Sequence, residues 1–416
     1  MPARTQPLHN PLGPRFLLLW SSVTAASLGD GIALTAMPLL AAHLTSDPRD
    51  VSLVFLAEQL PWLLIAPVSG VLADRLDRRR VLLITDSLRA LTAAAFATAV
   101  LAGHASIALL STVALLLGTT QVMYAGAWAG MVPALVAPDA RTRANAALQA
   151  TAQVMANLLG SPLGALLFLT TLAAPFAAQA ACITSAVLLI AALPGNFHAR
   201  TTTPKPRTSI RHEATEGIRW LWHHQQLRTL CLTGGISNLV IVGLTTILVL
   251  YTKNTLGLDS LGYALIMAAF AAGGLTGAAI TPRLSERIGP RKTLTLAMTT
   301  QAAAIAAAGT VSSPIAFGCS ITAYGAASLT WNVIALSQRQ NLIPDHLFGR
   351  VNMTYQMTNA GMSATGAITS GIIAHLLGLR APFLIGAALL LTITTLTTHK
   401  PQNPQPTPHN HPTPTH

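Results

Sequence analysis

The sequence Gly70-Val-Leu-Ala-Asp-Arg-Leu-Asp-Arg-Arg-Arg80 decides how this chain must fold. Six charged side chains occur in residues 74–80, and an apolar run of about 20 residues lies on either side of them. A run of that length matches the thickness of a bilayer, whereas the charged residues cannot lie in lipid. The segment therefore predicts a tight turn between two membrane-spanning helices.

Composition extends this interpretation to the whole chain. Of 416 residues, 51% are hydrophobic and 9% are charged, and the mean hydropathy is +0.53, which is too apolar for a soluble globular protein. The net charge of +12 does not indicate nucleic-acid binding, because the basic residues are confined to short loops between apolar runs. Cys182, Cys231 and Cys319 lack metal-ligand spacing. We therefore expect a polytopic protein that contacts the lipid bilayer and holds no metal.

Twelve apolar runs follow one another, six before and six after a polar segment at 195–228. They cover residues 16–44, 51–73, 81–102, 105–132, 145–169, 175–193, 229–250, 261–280, 293–311, 315–336, 351–377 and 383–397. We expect an all-α fold of twelve membrane-spanning helices in two halves, 16–194 and 229–398. Segment 195–228 is predicted to be a cytoplasmic linker with a short amphipathic helix, a regulatory role being the alternative. Residues 1–15 are expected to form a cytoplasmic tail, and the Pro- and His-rich residues 399–416 a disordered one.

An internal repeat supports the division into halves. Pro138-Asp139 followed by Arg143-Ala144-Asn145 recurs as Pro344-Asp345 followed by Arg350-Val351-Asn352. Likewise, Asp74-Arg75-Leu76 recurs as Glu286-Arg287-Ile288. With both termini inside the cell, 21 of the 25 Lys and Arg residues lie on the cytoplasmic side. The positive-inside rule therefore predicts cytoplasmic termini and a multi-pass protein of the cell membrane.

The charged turn also carries a recognisable pattern, Gly-x-x-x-Asp-Arg-x-x-Arg-Arg, at residues 70–79. It resembles the cytoplasmic loop between helices 2 and 3 of the major facilitator superfamily of transporters, which has glycine where this chain has Asp77. The resemblance implies a cytoplasmic latch that holds the two halves together in an outward-open state. Its predicted members are Gly70, Asp74, Arg75, Arg78, Asp86 and Arg89. Because Asp86 and Arg89 share one helical face, we interpret them as a structural ion pair rather than a substrate contact.

Other motifs resemble one branch of this superfamily. Leu-Gly-Asp-Gly at 28–31, the charged turn, and the Pro-Asp and Arg-Ala-Asn elements at 138–145 are similar to exporters of macrolides, tetracyclines and siderophores. Gly160-Ser161-Pro162-Leu163-Gly164 resembles the Gly- and Pro-rich motif of the superfamily's antiporters, with the proline displaced by one position. Small residues such as Gly160 and Gly164 would equally allow close helix packing in any membrane protein.

Acidic residues inside spans are candidates for proton transfer, because an ionised group in hydrocarbon is costly unless it faces a cavity or a partner. Asp30 lies midway along the first run between two glycines, which would let a neighbouring helix approach, and Glu58 lies in the second run. We predict that both carboxylates bind protons in a central cavity. The alternatives are a structural hydrogen-bond network for Asp30, and an outer gate or a structural bond for Glu58. Thr119 and Thr120 stand where many proton-coupled exporters carry an arginine.

Polar and aromatic residues in the spans are candidates for lining the substrate cavity. They are Gln59, Gln121, Gln153, Asn157, Asn238, Trp331, Asn332 and Tyr355. Each would equally serve as a hydrogen-bonding contact between helices. A cavity with few charges suits an amphipathic or cationic organic molecule better than a sugar or a phosphate.

Enzyme motifs are absent from the sequence. No lysine follows a glycine, so there is no Walker A phosphate loop, and no Gly-x-Ser-x-Gly elbow occurs. We expect no catalytic residues and no cofactor. A proton gradient would drive efflux of a small organic compound, such as an antibiotic, drug or siderophore, through a monomer. The alternatives are a nutrient importer and a non-transporting membrane sensor or assembly protein.

Overall fold

The computed structural model describes most of the two predicted halves. The described residues are 13–65, 77–128, 131–137, 140–195, 218–343 and 345–398. Three predicted latch residues, Gly70, Asp74 and Arg75, lie outside the described residues, as do most of the predicted linker and the tail at 399–416.

Over the described residues, twelve long helical segments follow the twelve apolar runs, and no strand occurs. They are α1 (Pro14–Leu44), α2 (Pro48–Leu64), α3 (Arg78–Leu101), α4 (Ile107–Trp128), α5 (Arg141–Gln153, a π-helical segment Val154–Gly160, and Ser161–Thr170), α6 (Ala174–Ala191), α7 (Gln225–Asn254), α8 (Ser260–Ile288), α9 (Pro290–Thr310), α10 (Pro314–Leu342), α11 (Asp345–Leu377) and α12 (Ala381–Thr398). Eight helices of the described part are long and apolar enough to cross a membrane. The prediction of an all-α membrane fold is confirmed.

Capping residues explain where several helices begin. The side chain of Asp47 accepts a hydrogen bond from the Arg49 amide at the start of α2, and Asp259 accepts one from Gly262 at the start of α8. Asp77 caps α3 in the same way, by accepting a hydrogen bond of 3.0 Å from the Arg80 amide. The superfamily's glycine is therefore replaced here by a residue that stabilises the helix start.

The corresponding turn in the second half differs from the expectation. Helix α8 continues to Ile288 rather than ending near residue 280, so Glu286 and Arg287 belong to its last turn and not to a loop. Gly289 alone separates α8 from α9, with a positive φ of 84° that favours glycine. The polar end of α8 extends the helix because its backbone hydrogen bonds do not depend on apolar side chains.

Matching close contacts fix which residues correspond in the two halves. In α4, a Cβ on Gly118 would overlap the carbonyl of Glu58, and Gly325 of α10 meets the carbonyl of Phe270 in the same manner. Likewise, Gly160 of α5 lies against the Leu28 carbonyl of α1. Its counterpart Gly366 of α11 lies against the Leu239 carbonyl of α7. The two halves therefore repeat each other helix by helix.

The halves meet at the end of the bundle that carries the α1–α2 and α7–α8 connections. The Lys253 ammonium donates to the Ala42 carbonyl at 2.9 Å, and the His375 ring lies 3.3 Å from an oxygen of Asp47. Hydrogen bonding by Arg49 lowers the pKa of Asp47 to about 2, so this carboxylate is ionised at physiological pH. Gly371 of α11 packs against α2 at Ser52, because no side chain separates them.

Candidate functional site

A cavity of about 230 Å³ lies inside the N-terminal half, between helices of that half only. Its lining includes three charged side chains, which come from α1, α2 and α3: Asp30, Glu58 and Arg89. The remaining wall is mainly apolar and aromatic, with Phe55 and Trp62 on the α2 side. Charged groups and an apolar wall together make this the best candidate site for binding an organic molecule within the membrane.

Arg89 joins two carboxylates from different helices. It donates one hydrogen bond to Asp30 of α1 and another, of 3.0 Å, to Asp86 one turn away on α3. The side chains of Arg89 and Asp86 are 4% and 1% exposed, whereas that of Asp30 is 35% exposed. The ring of Tyr124 lies 5.7 Å from the guanidinium carbon. Asp30 is thus the member of this group whose carboxylate reaches both the cation and the cavity.

Glu58 lies in the same cavity without a fixed partner. Glu58 is exposed, and its carboxylate makes no hydrogen bond or ion pair with any described residue. With Asp30 and Asp86 ionised, the single cation of Arg89 leaves a net negative charge in the cavity. Such a cavity attracts protons and organic cations rather than anions.

Glycines on both sides of Asp30 let two different helices approach it. Gly29 faces α6, where an added Cβ would lie 3.0 Å from the side chain of Cys182, and Gly31 faces the backbone of Ala156 in the π-helical segment. Ala156 also lines the cavity. The sequence predicts the close approach of a neighbouring helix, and the structure identifies the helices as α5 and α6.

The predicted antiporter-like motif packs directly behind this site. Gly160 lies against α1 at Gly31, and Gly164 lies against the Ile32 backbone. Pro162 is in the first turn of the α-helical segment that follows the π-helical one. A hydrogen bond of 2.5 Å between Thr35 and Ser161 ties the two helices together. The motif's contribution to antiport remains a prediction.

The predicted cavity-lining residues do not meet in one cavity. Gln121 lines the cavity of Asp30, whereas Gln59 is not among its lining residues. Gln153 and Asn157 bond to each other along α5 at 2.7 Å, and Asn238 and Asn332 donate to carbonyls of their own helices. Trp331 and Tyr355 are buried in the C-terminal half, where Tyr355 stacks on Arg339 at 3.8 Å. Trp331 lines a second cavity, in the C-terminal half. A role of these residues in binding substrate stays a prediction.

The C-terminal half has no charge at the positions that correspond to the charged residues of the site. Counting from the shared contacts and helix starts, the counterparts of Asp30, Glu58, Asp86 and Arg89 are Ile241, Phe270, Met298 and Gln301. Gln301 is fully buried and accepts a 3.0 Å hydrogen bond from Ser237. The fold therefore accepts uncharged residues at all four positions.

Arg89 is the charged site residue that sequence reasoning did not place in the cavity, and Phe55 and Trp62 are the aromatic ones. The ion pair of Arg89 explains why. The pairing of Arg89 with Asp86 was predicted from their spacing, but its contact with Asp30 depends on the packing of α1 against α3. Thr119 and Thr120 of α4 bond to carbonyls of their own helix. Because α4 carries threonines and not an arginine at these positions, the cation of this site is Arg89 of α3. Arg78, the other described latch residue, is the first residue of α3.

Comparison with known proteins gives matches along nearly the whole chain. The model of a family described as transmembrane secretion effector matches residues 6–412. The multidrug efflux pump Tap of Mycolicibacterium fortuitum is 27% identical over 395 residues, which cover 89% of this chain and 92% of that protein. The uncharacterised MFS-type transporter YfiS of Bacillus subtilis (strain 168) is 26% identical over 402 residues, covering 92% of each.

Solved structures share the fold. The nucleoside transporter NupG matches with a TM-score of 0.75 at 13% identity, covering 93% of this chain and 98% of NupG. A bacterial homologue of the iron transporter ferroportin, in an inward-facing state, matches with a TM-score of 0.71 at 18% identity, covering 92% and 98%. At such low identity the similarity shows the architecture and not the substrate.

Proposed function

The chain belongs to the transmembrane secretion effector family of major facilitator superfamily transporters, and from this premise we propose that it exports a small cationic or amphipathic organic compound in exchange for protons. One observation carries the proposal. The N-terminal half places Asp30, Glu58 and Arg89 around one cavity, at positions where the C-terminal half has only uncharged residues. Because the same fold holds uncharged residues at the equivalent positions of the other half, we attribute these charges to binding.

In the proposed cycle, Asp30 exchanges its partner. When Asp30 is ionised, Arg89 and a bound organic cation compete for its carboxylate, and the aromatic side chains of Phe55 and Trp62 contact the apolar part of the substrate. When Asp30 binds a proton, its attraction for the substrate is lost, while Arg89 keeps Asp86 as its anion. Rocking of the two halves would then expose the cavity to opposite sides of the membrane.

Several further observations support export across the cell membrane. The distribution of Lys and Arg favours cytoplasmic termini. The relative from Mycolicibacterium fortuitum is a multidrug efflux pump. The small-residue motif behind Asp30 resembles that of antiporters. The first observation concerns the orientation of the chain, the second supports efflux, and the third supports exchange for protons.

Transport by inside-out vesicles tests the proposal. We expect wild-type vesicles to accumulate a lipophilic cationic dye when their lumen is acidified, and Asp30→Asn vesicles to stay at the rate of vesicles without the protein. Asp259→Asn is the matched control, because Asp259 caps α8 far from the cavity and asparagine also caps helices well. Uphill, proton-dependent accumulation by Asp30→Asn protein would refute the mechanism, and dye uptake in the opposite direction would identify an importer.

A further inference from the structure

A second cavity, of about 1160 Å³, lies inside the C-terminal half. It is formed mainly by α7, α9, α10 and α12, at the end of the bundle where Gly289 joins α8 to α9. This is the end that the distribution of basic residues predicts to be cytoplasmic. The transport cycle proposed above does not use this cavity, although Trp331, one of the residues predicted to line the substrate cavity, lies in its wall.

The N-terminal half is filled at the corresponding place. A buried apolar cluster from α1, α3, the end of α6 and the residues just after it, and the short helix Met131–Leu135 occupies it: Leu19, Val81, Leu82, Met131, Ile190 and Leu193. Arg79 covers this cluster by donating to the carbonyls of Ile190 and Ala191 at 3.1 and 2.6 Å. Arg79, at the start of α3, thus satisfies carbonyl groups at the end of α6 and shields the apolar cluster from solvent.

Polar residues replace part of that cluster in the C-terminal half. The shared Ala-Pro-Phe starts of α6 and α12, at 174–176 and 381–383, make Thr397 the counterpart of Ile190. The same repeat makes Gln338 the counterpart of Met131. Both of these residues line the cavity. Because threonine and glutamine neither fill the volume nor favour dry packing, the space remains open.

Arg291, the cation at the start of α9, does not cover the end of a neighbouring helix among the described residues as Arg79 does in the N-terminal half. Arg291 corresponds to Arg79, and both Arg291 and its neighbour Lys292 line the cavity and are exposed. Neither makes a hydrogen bond or an ion pair with any described residue, and no acidic side chain is among the described residues that line the cavity. The wall deeper between the helices includes the apolar side chains of Leu230, Leu294 and Ile334, together with threonines whose hydroxyl groups donate to carbonyls of their own helices: Thr233, Thr299 and Thr394. The threonine hydroxyls are therefore already hydrogen-bonded, and their methyl groups can contact a hydrocarbon chain.

We propose that this cavity binds an anionic phospholipid, with the phosphate of the headgroup at Arg291 and Lys292 and an acyl chain along the apolar wall. The charge of the rim requires an anion, and the apolar wall between membrane-spanning helices requires a hydrocarbon chain attached to it. The rim lies at the end of the helices, where headgroups are, on the side whose leaflet carries anionic lipids. The lipid takes the place that the apolar cluster holds in the other half.

Binding is measured by native mass spectrometry and thermal unfolding of the purified full-length protein in neutral detergent. We expect dioleoyl phosphatidylglycerol to bind and raise the unfolding temperature, and phosphatidylcholine to do so much less. In the variant Arg291→Gln with Lys292→Gln, we expect binding on the order of 30-fold weaker, since each cation near an anionic lipid contributes to it. Arg283→Gln with Arg287→Gln is the matched control, because these exposed cations of α8 lie at the same end but do not line the cavity.

A second variant tests the cavity itself and does not depend on charge. Gln338→Met with Thr397→Ile introduces the residues of the filled N-terminal half, and we expect it to fold at least as stably and to lose the bound lipid. Equal lipid binding by all variants would overturn the proposal, since it would locate the lipid elsewhere on the protein. Equal stabilisation by glycerol phosphate without acyl chains would also overturn it, because the ligand would then be a soluble anion.

Discussion

At the scale of single residues, the N-terminal cavity concentrates charge that the rest of the membrane region avoids. Asp30, Asp86 and Arg89 form one hydrogen-bonded group, and Glu58 stands apart from it. Arg89 is the only cation that contacts the two carboxylates among the described residues. A buried ion pair stabilises a fold weakly, but removing one partner leaves the other charge unpaired. The group is therefore sensitive to the loss of its cation.

Replacing Arg89 alone should destabilise the protein strongly. We expect Arg89→Gln to lower the free energy of unfolding by about 3–5 kcal/mol, because Asp86 is 1% exposed and would be left without its cation. Thermal unfolding of purified protein measures this, with the exposed Arg283→Gln as the control of equal charge change. A loss no larger than that of the control would show that the buried pair does not need its cation.

The C-terminal half provides the matched rescue. The variant Asp30→Ile, Asp86→Met and Arg89→Gln gives the N-terminal half the residues that stand at the same positions in the C-terminal half. We expect its unfolding temperature to return close to that of the wild type, while proton-driven dye transport stays at background. Restored stability without transport separates the binding role of the charges from a packing role. Transport by this triple variant would contradict the proposed function.

At the scale of the helices, much of the fold could be predicted and the pairing of helices could not. The apolar runs predicted the twelve long helical segments of the described residues, because the bilayer requires long uninterrupted runs, but not the short helix Met131–Leu135. The π-helical segment Val154–Gly160 was not predicted, since nothing in its local sequence distinguishes it from an α-helix. The contact of Asp30 with Arg89 was not predicted either, because it joins α1 to α3 and depends on which helices are neighbours. Asp30 itself could be found, since charge within an apolar run is visible in sequence.

The π-helical segment should be sensitive to any side chain on the facing position of α1. We expect Gly31→Val to lower the free energy of unfolding by about 2–3 kcal/mol and to abolish transport, because the new side chain would overlap the Ala156 backbone beside the cavity. Gly318→Val is the control, since Gly318 of α10 has only a side-chain atom of Ile266 nearby, at 3.6 Å. Equal stability and transport of the two variants would show that α1 and α5 are not in close contact here.

At the scale of the whole molecule, two similar halves differ in what they contain. The N-terminal half holds charges around a small cavity, and the C-terminal half holds uncharged residues at those positions and a large cavity at one end. Contacts between the halves near Asp47 and Gly371 lie at the opposite end, and α5 also contacts α8. Alternating access requires these contacts to separate during the cycle. The close packing of Gly371 on Ser52 is therefore part of one conformational state.

Enlarging Gly371 should shift the balance between states. A valine there would meet the Ser52 side chain and the Pro48 carbonyl, so we expect Gly371→Val to hold that end of the bundle apart while each half stays folded. Spin labels at Ser46 and Asn254, which are exposed on the two halves at this end, report the separation by pulsed electron resonance. We expect longer distances in Gly371→Val and unchanged distances in Gly318→Val. An unchanged distance distribution in folded Gly371→Val protein would show that this contact does not control closure.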